Sequence, residues 1–357
     1  MKQLPLHSIH ERLGAKFGPF AGYHMPLFYP AGIMNEHRHT RTAAGLFDIS
    51  HMVLVMISGD GAADLVSHLC PIPAAEQEIG KARYSFFLNE NAGIMDDLII
   101  TRFAEDRFMI VCNAGCAEKD VAHIQAHAAR FDVQIEVLER VFLALQGPRA
   151  ETVLKDLGFD LAQLPFMNAR ELPGGLIVSR SGYTGEDGFE LAIPLDDAPE
   201  LAERLLADER VLMIGLGARD SLRIEAGLPL YGQDLAEDIS PMEAGLAWAI
   251  PKTHRQGGSF IGAPALAGKF TSGRTRKRVG LKPEGSAPVR AHTRLVDMTG
   301  RQVGEVTSGG FGPSCGHPVA IGLIEVDESG PLQADVRGKL LPVAIVSLPF
   351  VPHSYKR

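Results

Sequence analysis

The feature that most constrains this chain is a change of rhythm near residue 275. Before it, helical and strand periods alternate: "GDGAADLVSHLC" and "AGCAEKDVAHIQAHAARF" place apolar residues at helical spacing, while "RYSFFLNE", "IMDDLIITRF" and "FMIVCN" read as strands. The same mixture returns from "FLALQG" through "PRAETVLKDLG", "LIVSRSGYTG", "GFELAIPL" and "APELAERLLAD". After "GRTRKR" the helical period is lost, and short strands cut by Gly-rich turns suggest a small closed β unit of about 80 residues. The 357 residues, 45% hydrophobic, exceed what one core usually organises, so two or three packed units are expected. The fold class is α+β, with residues 1–275 holding two α+β units, one over about 53–135, and residues 276–357 holding the β unit.

A formal net charge of −8 argues against nucleic acid or an anionic membrane as partner over most of the surface. Cys70, Cys112, Cys116 and Cys315 form no CxxC pair, which suggests neither a zinc site nor a disulfide framework and points to a reducing compartment. Apolar runs stay below the ~18 residues of a membrane span, and "MKQLPLHSIHERLG" lacks a signal-peptide core. These features predict a soluble, cytoplasmic protein of bacterial type, though a processed mitochondrial form would read alike.

Several stretches invite a chemical reading. "GLGARD" has Asp220 where the dinucleotide fingerprint needs a third glycine, and it shows no parallel βαβ context. The helix that follows puts Arg219 and Arg223 on one face, as a solvated face or as a fork for a carboxylate. In "RSGYTGEDGFEL", Glu190 lies between Phe189 and Leu191, so it opposes the apolar face or is buried to accept N–H donors of an amino-heterocycle. His37 and His39, in "NEHRHTRTAAGLFDIS" read as a helix, are two apart and cannot chelate one ion; with His51 they are read as non-metal histidines, and no metal is expected.

"NENAGIMDDLIITRF" sets Asp96 beside Asp97 in a strand, where successive side chains take opposite faces. Strands carrying Tyr84, Asp97 and Asn113 form a meander, so these three can meet on one face. One acid is then free to be a solvated edge charge while the other serves a pocket; composition does not say which.

Together "FAGYHMP", "HTRTAAGLFDISHM", "NENAGIMDDLIITR", "CNAGCAEKD", "ALQGP", "SGYTGEDGFEL", "GLGARDSLRIEAGLPLYGQD", "SPMEAGLAW", "GEVTSGGFGPS" and "LPFVPHSYKR" resemble, in order and from about residue 17 to the end, the aminomethyltransferase or T-protein of the glycine cleavage system. The resemblance implies a three-unit cloverleaf around a central folate site. It also implies tetrahydrofolate as co-substrate and the lipoylated H-protein as the partner presenting an aminomethyl group. It assigns catalysis to Asp97, leaves Asp96 structural, and places Met52, Tyr84, Asn113, Tyr183, Glu190, Arg219 and Tyr355 around the folate.

The chemistry so implied is attack by a folate nitrogen, assisted by Asp97, on the S–CH2–NH3+ carbon, giving 5,10-methylene-tetrahydrofolate, ammonia and a free dihydrolipoyl thiol. A related demethylase forming 5-methyl-tetrahydrofolate is the alternative within this architecture. A non-enzymatic folate-binding protein of the iron–sulfur assembly type would carry "KGCYxGQE", and the cysteine is absent from "EAGLPLYGQD". The run "GRTRKR", with Arg276, Lys277 and Arg278, is a solvated linker or a candidate basic face for the carrier.

Overall fold

Asn89 opens the hairpin that carries the acid pair. Its side-chain Oδ1 accepts from the backbone N–H of Asn91 and Gly93, and Ala92 takes a left-handed φ of 59°, so the chain reverses within five residues. Gly93 is required there: a Cβ would sit 1.7 Å from the carbonyl oxygen of Glu237. The Ile94–Ala104 strand follows, in a computed structural model that describes residues 1–356. It pairs antiparallel with Ala82–Leu88 on one side and Arg107–Cys112 on the other.

The sheet is completed by Val53–Ser58 and Gln134–Val137, five strands in all. One face is covered by the helices Ala62–Leu69 and Ala117–Ala128. The first buries Ala62, Leu65, Val66 and Leu69, the i, i+3, i+4, i+7 stripe that its sequence spells. Against that stripe pack Phe87, Leu98 and Ile100, and each large side chain so buried contributes roughly 1.5–3 kcal/mol.

The second α+β unit is discontinuous. Its six strands run in the order Asn168–Glu171, Ile177–Arg180, Gly188–Pro194, Arg140–Gln146, Ala44–Asp48, Val211–Ile214. Ala44–Asp48 comes from the stretch read as a helix; that helix, Ile33–Thr42, ends before it, and the five residues that follow are all buried in the middle of this sheet. Val211–Ile214 pairs parallel with it. A strand aligned parallel to a neighbour therefore does precede "GLGARD", contrary to the sequence reading. The first strand lies 160 residues upstream, so the compact βαβ unit of a dinucleotide fold is still not formed.

A closed six-stranded barrel starts at Arg276–Pro283 and ends with Lys339–Val346. The run "GRTRKR" is thus not a solvated linker but the approach to and start of a barrel strand. Arg276 binds Glu243 at 3.0 Å and Asp238 at 3.2 Å, Lys277 donates to the Val326 carbonyl, and Arg278 reaches the Gly227 carbonyl.

The helix Leu216–Glu225 is the post on which the units meet. Glu225 accepts from the backbone N–H of Ser314 at 2.7 Å and meets His37 at 3.0 Å and Arg41 at 3.1 Å. Arg223, expected on a solvated face or in a fork for a carboxylate, is 1% exposed and binds the carboxylates of Asp234 at 2.6 Å and Asp220 at 2.8 Å, and Ser308 of the barrel at 2.8 Å. One turn earlier the same helix holds Arg219, and its direction is therefore fixed by the barrel contacts below it.

Candidate active site

A cavity of about 1310 Å³ lies where the three units converge. Asp97 faces it. The register places Phe86 opposite Asp97 and Tyr84 opposite Ile99, so Tyr84 is one diagonal step away on the same face. Its hydroxyl donates to Asp97 Oδ2 at 2.9 Å. Asn113, just past the end of the third strand, donates from Nδ2 to Asp97 Oδ1 at 2.9 Å and to Asp96 Oδ1 at 3.0 Å, while its backbone N–H reaches Asp96 Oδ2 at 3.0 Å.

Neither acid is a solvated edge charge. Asp96 is 0% exposed beneath the sheet. Burial first, and the Asp96 charge second, push the Asp97 carboxyl up to about 7, against the pull of the Tyr84 and Asn113 donors. A carboxyl balanced in this way gains or loses a proton readily at neutral pH.

Across the cavity stand Glu190 and Arg219. Phe189 and Leu191 turn into the core at 0% and 1% exposure, so the alternation of the strand turns Glu190 to the cavity. Ser181 donates to its Oε2 at 2.6 Å, and burial raises its pKa. The Arg219 guanidinium lies 4.9 Å from the Tyr183 ring centre, and its Nη1 is buried without a hydrogen-bond partner among the described residues. Tyr183 itself donates to the Pro229 carbonyl.

Tyr355 stacks on Phe166 at 4.0 Å with planes 8° apart, and Met52 closes another side of the wall. All eight residues singled out in the sequence therefore line one cavity. They come from five separate segments of the chain.

The composition of this wall is informative. It offers flat aromatic faces, an acceptor in Glu190, and three guanidinium nitrogens, Arg83 Nε, Arg219 Nη1 and Arg278 Nε, that are buried and unpartnered among the described residues. Such a set suits a planar heterocycle with an amide-like donor edge and an acidic tail.

Family comparison agrees with the geometry. Residues 6–254 match the model of the GCVT N-terminal domain, and residues 276–352 match that of the glycine cleavage T-protein C-terminal barrel domain. The chain belongs to the glycine cleavage T-protein family. Among relatives of this T-protein family member, the mitochondrial aminomethyltransferase of Homo sapiens is 40% identical, covering 99% of this chain and 91% of the human protein. That of Dictyostelium discoideum is 39% identical over 100% of this chain and 94% of its own. The crystal structure of the glycine cleavage system aminomethyltransferase T from Bartonella henselae is 50% identical, with a TM-score of 0.98 over 100% of this chain and 99% of that one.

Three wall residues of this T-protein family member escaped the sequence reading. Trp248, the single tryptophan, stacks on Tyr84 with centres 5.7 Å apart and planes 19° apart, yet is 67% exposed. Its aromatic neighbour lies 164 residues away, so no local pattern announces it. Arg278 hid in the basic run, and Arg83 beside Tyr84 reads as an ordinary strand charge. His51, read as a non-metal histidine, is 3% exposed and lines the cavity, where burial and then Arg219 hold its pKa down to about 3.

Proposed function

We propose that this chain is the aminomethyltransferase of a glycine cleavage system. It transfers the one-carbon unit of the aminomethyl group on the dihydrolipoyl arm of the H-protein to tetrahydrofolate, giving 5,10-methylene-tetrahydrofolate and ammonia. The observation that carries this reading is the cavity-facing Asp97, held at both oxygens by Tyr84 and Asn113, opposite Glu190 and Arg219, whose Nη1 has no partner among the described residues. Bound tetrahydrofolate supplies the nitrogen nucleophiles that accept the carbon.

The chain supplies the rest. Glu190 takes the donor edge of the pterin, Arg219 holds the complex from the facing helix, and Tyr84, Tyr183, Tyr355 and Met52 line the rings. Asp97, whose pKa sits near working pH, accepts the proton lost from the attacking nitrogen, and its two donors fix where that proton lands. Folate and the seated lipoyl arm displace water from the reactive carbon, which would otherwise hydrolyse to formaldehyde. Residues 1–275 form the main folate-binding region; the barrel strands run from Arg276 to Val346, and the segment after them returns Tyr355 to the folate wall. The bacterial solved relative favours a cytoplasmic setting, while the mitochondrial relatives favour a processed mitochondrial form. No described helix is long and apolar enough to cross a membrane.

Incubation with aminomethylated H-protein and tetrahydrofolate should release ammonia and form methylene-tetrahydrofolate together, in equal amounts. Formation of 5-methyl-tetrahydrofolate without ammonia from a methyl donor, and no turnover of the H-protein substrate, would overturn the proposal.

A further inference from the structure

Asp120 is a buried acid that nothing above uses. It lies in the first turn of the Ala117–Ala128 helix and, with Ile124 one turn on, faces inward at 0% exposure. Neither of its carboxyl oxygens meets a hydrogen-bond donor among the described residues. Its carboxyl, that of Asp96 and the Cys116 sulfur lie within 4.8 Å of one another. Asp96 already accepts two N–H bonds from Asn113, so it carries the negative charge of the group.

A second bare carboxylate at this depth would cost several kcal/mol with nothing to offset it. The economical arrangement is one proton between two carboxyl groups, and the proton belongs on the partner that lacks donors. We propose that Asp120 is a positioning residue for Asp97: protonated at neutral pH, it donates to Asp96, which in turn fixes the Asn113 amide that holds Asp97.

The surroundings agree. From its own element, Lys119 lowers the Asp120 pKa, but its ammonium is engaged by the Met95 carbonyl at 2.8 Å, Glu237 at 2.8 Å and Tyr231 at 3.3 Å, and burial and Asp96 outweigh it. The Cys116 thiol, just before the helix, faces the Met95 carbonyl at 3.9 Å. Cys112 ends the strand beneath and Cys70 ends the neighbouring helix; burial raises the pKa of all three thiols, so they stay neutral. Asp96 and Asp97, from the acid strand, are the facing charges. Burial first, then Asp96, push Asp120 up to about 9. The relay thus runs Asp120, Asp96, Asn113, Asp97, Tyr84, with one negative charge on each side of the Asn113 amide.

This inference rests on the proposed role of Asp97, and its test separates the two. In Asp120→Asn the amide still donates to Asp96 and no charge is removed. The acid limb of the kcat profile should stay within about 0.3 pH units and kcat within about three-fold. Asp120→Leu removes the donor, and kcat should fall at least about ten-fold with KM nearly constant. The difference infrared spectrum, wild type minus Asp120→Asn at about pH 8, should show a protonated-carboxyl band.

A shift of the acid limb downward by about a unit in Asp120→Asn, absence of the band, or full activity in Asp120→Leu would overturn the proposal. Should the leucine variant not fold, the spectrum and the asparagine profile decide alone. Full turnover in Asp97→Asn would refute the role of Asp97, with the Asp120 band unaffected.

Discussion

Asp97→Asn should make the protein more stable while disabling it. The carboxyl rises from an ordinary 3.8 to about 7, chiefly through burial and then through Asp96. At about 1.36 kcal/mol per unit this is about 4 kcal/mol of unfavourable free energy for the ionised group in the folded state. Exposure to cavity water and joint titration with its neighbours reduce the figure to about 2 kcal/mol. The folded state holds the proton more tightly than the unfolded chain, so stability is lost as pH rises from about 4 to about 7, and the deficit is constant above.

Asparagine removes the charge and keeps the contacts. Its Oδ1 accepts from Asn113, and its Nδ2 faces the Tyr84 hydroxyl, which accepts after a rotation about its C–O bond. With about 1 kcal/mol subtracted for weaker hydrogen bonds, the variant gains about 1 kcal/mol at about pH 8.5. That advantage exceeds the one at about pH 4 by about 1.5 kcal/mol. Urea unfolding at the two pH values measures this, because titrating groups remote from Asp97 cancel between wild type and variant. Turnover should fall ~10²-fold or more. An Asp97→Asn protein less stable than wild type at alkaline pH would refute the electrostatic reasoning, and one with wild-type turnover would refute the assigned base.

Two further outcomes follow from the geometry. Arg219→Ala should weaken tetrahydrofolate binding about 10- to 100-fold, the equivalent of one charge-assisted contact of about 1.5–3 kcal/mol, read as reduced quenching of the single tryptophan stacked on Tyr84; an unchanged titration would remove Arg219 from the folate wall. Arg276→Ala should cost about 1–3 kcal/mol in unfolding free energy, because Glu243 loses its guanidinium partner, while the salt dependence of the carrier KM stays as in wild type. A flattened salt dependence would restore Arg276 to the docking face.

What could be read in advance was what short-range geometry governs. Two-residue alternation puts Tyr84 and Asp97 on one face of adjoining strands, and Asn113 follows from the next hairpin, so that cradle is written within 30 residues of sequence. Glu190 is legible for the same reason, from its two apolar neighbours. The misreadings all involve partners remote along the chain. Ala44–Asp48 looks like a helix extension until strands near residues 140 and 211 arrive to pair with it. Arg223 stays open between a solvated face and a carboxylate fork until Asp234 and Ser308 enclose it, and the basic run reads as a docking face or a linker until Glu243 and the His317–Glu325 strand engage it. Asp96 is buried under the sheet and Asp97 half-buried against the cavity, with Asn113 serving both at once, an arrangement that face alternation alone does not reveal.

The strand Ala44–Asp48 has one more implication, for how the polypeptide matures. As the chain leaves the ribosome, the five-stranded sheet is complete once residue 137 has emerged, and it can condense while synthesis continues. Ala44–Asp48, made earlier, gains its first neighbour only with residues 140–146 and keeps an open hydrogen-bonding edge until residues 211–214 appear. The nascent protein thus carries a finished insert on an unfinished host. Its interval of greatest vulnerability to misassociation lies in the middle of translation.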